Sequence, residues 1–131
     1  MTERVRWGIL GCAASPLPAA PLRNGADDQG KLIGAAVDIN PFRNEAASRT
    51  ALGRKFNILV AENAMKFDAM HPAQNSYNFT AADELVAYAE ANGMQVRGHV
   101  LVWHSQVPAW LVNGNFNRDQ MIAVAVTIAS T

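Results

Sequence analysis

Val96-Arg-Gly-His-Val-Leu-Val-Trp-His-Ser-Gln106 decides how this chain is read. Val96, Val100, Leu101, Val102 and Trp103 are apolar, which predicts a buried β-strand from Met94 to Trp103. His99, His104 and Gln106 lie in that strand or just past it. Burying such groups costs free energy unless each finds a hydrogen-bond partner. A strand that carries donors and acceptors to its C-terminal end, beside a tryptophan, predicts a site for a polar, flat-faced ligand.

Two further apolar runs precede it. Lys31 to Val37 is a continuous strand-length run ending at Asp38, and Asn57 to Ala61 is a second, ending at Glu62. Between them, Asn44 to Phe56 predicts a helix rich in good formers, with Asn44 as its cap. Thr80-Ala-Ala-Asp83 has the form of a capping box. Behind it, Ala82, Leu85, Val86 and Ala89 repeat at i, i+3, i+4, i+7, and Gly93 supplies a stop. A last helix is predicted from Asn117, with Gln120 at its third position and Ile122, Ala125, Val126 and Ala129 along it. The order βαβαβα, with strands apolar on both faces, predicts an α/β fold with a parallel sheet covered by helices. Right-handed crossovers place all strand C-termini on one edge. Glu62 and the His99–Gln106 group then share the edge on which α/β folds build their sites.

The bulk numbers set limits. At 131 residues, half of them hydrophobic, the chain is the size of one domain with a sizeable core. Eleven Lys+Arg balance eleven Asp+Glu, so the electrostatic footprint of a nucleic-acid binder is missing and nothing points to a membrane surface. A single cysteine, Cys12, excludes an internal disulfide and a cysteine-based zinc cluster. No run approaches the ~18 apolar residues of a membrane span. Residues 1–21 read as an N-terminal extension, either a signal remnant or a linker. Ile9-Leu-Gly-Cys12 loosely resembles a bacterial lipoprotein cleavage site, although its apolar core falls short of the ~7–15 residues a signal needs. Pro16, Pro18 and Pro21 predict an extended connector.

Chemistry concentrates in two places. Glu62, Asn63 and Lys66 offer acceptors and two kinds of donor within five residues, a mixture suited to adjacent sugar hydroxyls. Read alone, the same residues also fit a solvated loop with a Glu–Lys pair. His99 and His104 are five apart without a third ligand, so no metal site is assigned. Trp103 and Trp110 also fit plain core or rim positions, and His71, before Pro72, carries no role in this reading.

Taken together, Glu62-Asn-Ala-Met-Lys-Phe-Asp68, Tyr77-Asn-Phe-Thr-Ala-Ala-Asp83 and Arg97-Gly-His-Val-Leu-Val-Trp-His-Ser-Gln-Val-Pro-Ala-Trp110 closely resemble glycoside hydrolase family 10, the endo-1,4-β-xylanases with a (β/α)8 barrel. The resemblance runs from about residue 22 to 131 in collinear order. It implies that the chain forms the first three βα units of a TIM barrel, that the partner is xylan or a xylo-oligosaccharide, that no cofactor is needed, and that the protein is secreted. By the same resemblance Glu62, Asn63, Lys66 and Gln106 are glycone-side sugar ligands. His99 contacts the sugar at the cleavage point, Trp103 forms part of that pocket, and His104 supports the network. Phe67 stands where the family usually has tryptophan and Val100 where it has threonine, losing an indole N–H and a hydroxyl.

Retaining glycosidases need two carboxyl groups about 5–5.5 Å apart. In the family these follow the fourth and seventh strands, in Trp-Asp-Val-Val-Asn-Glu and Thr-Glu-Leu-Asp motifs. Neither motif occurs in these 131 residues, so no catalytic residue is assigned, and Asp68 reads as structural. A closed barrel takes about 250 residues. Three βα units alone leave strand edges unpaired, which predicts self-association. Two rival readings remain open at this point. One is a fragment that binds xylo-oligosaccharides without turnover. The other is an NAD(P)-dependent oxidoreductase domain, with Val5-Arg-Trp-Gly-Ile-Leu-Gly-Cys12 as first strand and turn and Asp38 on the ribose. Gly8 and Gly11 do not complete the dinucleotide fingerprint, and prolines occupy the place of its helix.

Overall fold

The computed structural model describes residues 22–129; the readings for residues 1–21 lie outside them. The elements are α1 (Leu22–Asp27), β1 (Gly34–Val37), α2 (Ile39–Asn44), α3 (Ala46–Lys55), β2 (Ile58–Ala61), α4 (Phe67–Met70), α5 (Thr80–Ala91), β3 (Gln95–Arg97), α6 (Ala109–Val112) and α7 (Arg118–Ala129). The sheet is parallel, in the order β1-β2-β3, with Ala35 opposite Leu59 opposite Val96 and Val37 opposite Ala61. These residues share one face. They pack with Phe42 of α2, Leu52 of α3, and Ala82, Leu85 and Ala89 of α5 into the main core, where Leu59 and Leu85 are fully buried. The other face carries Gly34, Ala36, Ile58, Val60, Gln95 and Arg97, of which Ile58 and Val60 are half-buried while Gln95 and Arg97 are exposed. Both-sided apolar character therefore holds for β2 and fails for β3. This is a partial (β/α)8 barrel, three strands with helices on the outer face.

Local chemistry explains the element boundaries. Asn57, buried, fastens the entry to β1. Its Oδ1 accepts from Ile33 N at 2.7 Å, and its Nδ2 donates to Asp27 Oδ1 at 2.7 Å and to Lys31 O at 2.8 Å. These side-chain bonds replace ladder rungs, which is why β1 begins at Gly34 rather than Lys31. Asp38 caps α2 by accepting from Asn40 N at 2.8 Å, so its carboxylate has a structural task in place of a ribose. Asn44 closes α2 instead of capping α3, and the extended residue between the two helices is Glu45. Phe79 occupies the N-cap of α5, and Asn78 Oδ1 takes the Thr80 N–H at 3.2 Å, so the expected Thr80 capping box is not formed. Gly93, at φ 59°, makes the predicted stop. Gly93 N reaches Glu90 O at 3.1 Å and Met94 N reaches Ala89 O at 2.8 Å, the two bonds of a Schellman motif. Asn117 and Gln120 form the predicted reciprocal box at α7: Gln120 N donates to Asn117 Oδ1 and Asn117 N to Gln120 Oε1, both at 2.9 Å.

From α1, the Arg23 guanidinium donates to the carbonyls of Gly53, Asn92 and Gly93 at 2.8–2.9 Å. It joins the C-terminal ends of α3 and α5, where a cation also meets the helix dipoles favourably. The tie lies at the end of the sheet where strands begin, and the candidate site lies at the other.

The third strand departs most from expectation. It covers Gln95–Arg97 only, and the chain from Gly98 to Val107 is irregular, with a cis peptide between His99 and Val100. β3 pairs with β2 alone, and its register partner for Arg97 is Val60, one residue before β2 ends. Beyond that no neighbouring strand is present among the described residues to continue the ladder. Leu101 and Val102 consequently stand 51% and 65% exposed.

Candidate active site: one wall of a sugar cleft

The loop after β2 and the loop after β3 meet at the strand C-termini. Asn63 Oδ1 is the junction: Lys66 Nζ donates to it at 2.9 Å and Gln106 Nε2 at 3.3 Å. The Lys66 ammonium also lies 5.1 Å from the Trp103 ring centroid, a cation–π contact. Four predicted residues, Asn63, Lys66, Trp103 and Gln106, are thus brought together. Trp103 is 39% exposed, and it presents an aromatic face next to a fixed ammonium and two amides. Apolar C–H faces of a sugar ring suit the first and its hydroxyls suit the others.

The remaining predicted residues are placed more loosely. The His99 ring is 6.5 Å from Trp103, and the His104 ring meets Trp103 edge-on at 5.2 Å. His99, His104 and Gln106 are all exposed. The expectation of burial is therefore corrected: with β3 ending at Arg97, all three lie in an open loop, where Gln106 keeps its bond to Asn63. Glu62 follows β2 directly, its N–H bonded to Val37 O at 2.9 Å. Its exposed carboxylate has no side-chain partner among the described residues. It lines a separate groove of about 380 Å3 along β1, with Asp38, Phe42, Leu52 and Phe56. No group of three or more metal-ligating side chains occurs among the described residues.

Sequence reading missed what holds the two loops together. His71 is 4% exposed, stacked on Tyr77 at 4.3 Å and tilted against Trp110 at 4.8 Å. Its Nε2 lies 3.0 Å from Gln74 O; a carbonyl only accepts, so Nε2 donates, and the buried Nδ1 has no hydrogen-bond partner among the described residues. Trp110 Nε1 donates to His71 O at 3.0 Å. Phe67, Leu111, Val107, Trp110, Phe116 and Val124 complete a second apolar cluster around this contact. Phe67 is buried there, its ring edge-on to Trp110 at 6.1 Å. No local pattern signals this bracket, because it forms only when the loop after β2 meets α6.

Comparison with known proteins accords with this geometry. The sequence profile of glycosyl hydrolase family 10 matches residues 21–129. Endo-1,4-beta-xylanase B of Paenibacillus barcinonensis is 42% identical over 95 residues, 70% of this chain and 28% of that protein. Endo-1,4-beta-xylanase B of Thermotoga neapolitana is 36% identical over 119 residues, 88% of this chain and 34% of that protein. The crystal structure of xylanase 10B from Thermotoga petrophila RKU-1 in complex with xylobiose superimposes with a TM-score of 0.79 at 34% identity, covering 87% of this chain and 36% of that one. The chain therefore spans about a third of the length of these three relatives. Matched along nearly all its described length, the chain belongs to glycosyl hydrolase family 10.

Proposed function

We propose that this chain supplies the glycone-side wall of a xylan-hydrolysing active site, gripping a xylo-oligosaccharide through Asn63, Lys66, Trp103 and Gln106. The observation that carries this reading is the convergence of Lys66 and Gln106 on Asn63 Oδ1, beside the open face of Trp103. Glu62, next to Asn63 in the chain but lining the groove along β1, extends the wall in this proposal, free to accept from a hydroxyl, while His99 offers a ring nitrogen near Trp103 and His104 supports it. The Thermotoga petrophila relative holds xylobiose, the ligand class this array suits.

In the whole enzyme, hydrolysis proceeds by retaining double displacement. One carboxyl group protonates the leaving oxygen while the other forms the glycosyl-enzyme. In this proposal the residues named here bind and orient, and none of them serves as either carboxyl group. Secretion is proposed as the setting, since xylan is a wall polysaccharide met outside the cell.

Calorimetric titration with xylotriose tests the reading. The chain should bind, and Gln106→Ala or Glu62→Ala should each weaken binding by about tenfold, the loss of a hydrogen bond to a polar or charged partner. Clean protein should release no reducing sugar from xylan. Unchanged affinity in both variants would remove the proposed wall.

A further inference from the structure

We propose that Trp110 is a positioning residue for this sugar site, acting through Gln106; the proposal rests on the xylo-oligosaccharide reading above. Gln106 sits at φ 53°, in the left-handed region. A residue with a Cβ is disfavoured there and stays only where its surroundings hold it. Two ties do so, on either side of the turn into α6. Asp68 N donates to Gln106 O at 3.2 Å. Four residues on, Trp110 donates Nε1–H to His71 O at 3.0 Å.

The second tie is the one that keeps the turn in place. α6 is four residues long, too short to hold its own geometry. Trp110 anchors it by seating its ring among His71, Phe67 and Phe116 at centroid distances of 4.8, 6.1 and 5.8 Å. Gly114 permits this seat, because a Cβ there would collide with the Phe116 ring and the Trp110 carbonyl. The indole N–H fixes the depth and rotation of the ring against the loop after β2. Without it, the turn is free to shift and Gln106 to relax to negative φ, which swings Nε2 away from Asn63 Oδ1. Trp110 touches no sugar in this arrangement; it sets the residue that does.

A double-mutant cycle with xylotriose tests this, using the full chain, Trp110→Phe, Gln106→Ala and the double variant, with titrations carried into millimolar sugar. Trp110→Phe keeps an aromatic ring and removes the donor, and it should weaken affinity about fivefold, the loss of one hydrogen bond's worth. Because the effect passes through Gln106, the double variant should bind no more weakly than Gln106→Ala alone. Additive losses would overturn the proposal. Leu111→Ala disturbs the same cluster without touching the Nε1 tie, so it should lower the melting temperature and leave affinity unchanged. An equal loss of affinity in Leu111→Ala would reduce Trp110 to general packing and also overturn the proposal. If the unaltered chain fails to bind xylotriose, the sugar reading falls and this proposal with it. Binding by the unaltered chain with an additive cycle removes this proposal only.

Discussion

At the residue scale, two side chains show how position outweighs type. Gln106 was legible as a polar residue past a strand, and its side chain stands beside Asn63. Its left-handed backbone was not legible, because glutamine carries no local signal for positive φ. Glycine at this position removes that conformational cost, about 1 kcal/mol. Gln106→Gly should therefore raise the melting temperature by a few degrees while weakening xylotriose binding, a split readable by calorimetry and titration together. Asn57 is the opposite case. It read as the first residue of an apolar strand, yet it is a buried bolt with three hydrogen bonds to Ile33, Asp27 and Lys31. Its partners lie 24 to 30 residues away, so no local pattern announces it. Asn57→Leu leaves Ile33 N and Lys31 O without their bonds, and denaturant unfolding should show a loss of about 2–4 kcal/mol.

At the scale of elements, capping was readable at two ends and misplaced at two, Asn44 and Thr80, while the third strand was read too long. Gly93 and the Asn117–Gln120 box do what their sequence pattern predicts. Both signals are complete within a few residues, so local reading suffices. The box also yields a test: Asn117→Ala should cost about 1 kcal/mol and show as lower helical ellipticity on warming. The one-turn helices α4 and α6, each four residues long, lie below what periodicity can resolve. The third strand was read too long for a different reason. Val100, Leu101 and Val102 are apolar as barrel strands are, but a ladder needs a neighbour, and β2 ends opposite the residue after Arg97. The apolar run records a burial that the described elements do not themselves provide.

At the scale of the whole molecule, that unspent apolar surface has consequences. β1 and β3 each pair on one side only among the described residues. The groove along β1 is lined by Val37, Phe42, Leu52 and Phe56, and Leu101, Val102, Met121, Ile122 and Val126 are exposed. Exposed parallel edges flanked by apolar surface template association, so size-exclusion chromatography with light scattering should give oligomers. A monodisperse 14.1 kDa monomer with a cooperative melt would contradict this. Fold class and family were legible because three spaced motifs and the βαβαβα order carry them. The aromatic bracket of His71, Tyr77 and Trp110 was not, since it forms only when two loops meet. The central claim is that a xylo-oligosaccharide lies against Trp103, beside Lys66 and Asn63. Mapping tryptophan oxidation by peptide mass, with and without saturating xylotriose, tests it most directly. The account predicts that the sugar slows oxidation of Trp103 and leaves Trp110 unchanged; equal oxidation of Trp103 in both conditions would contradict it.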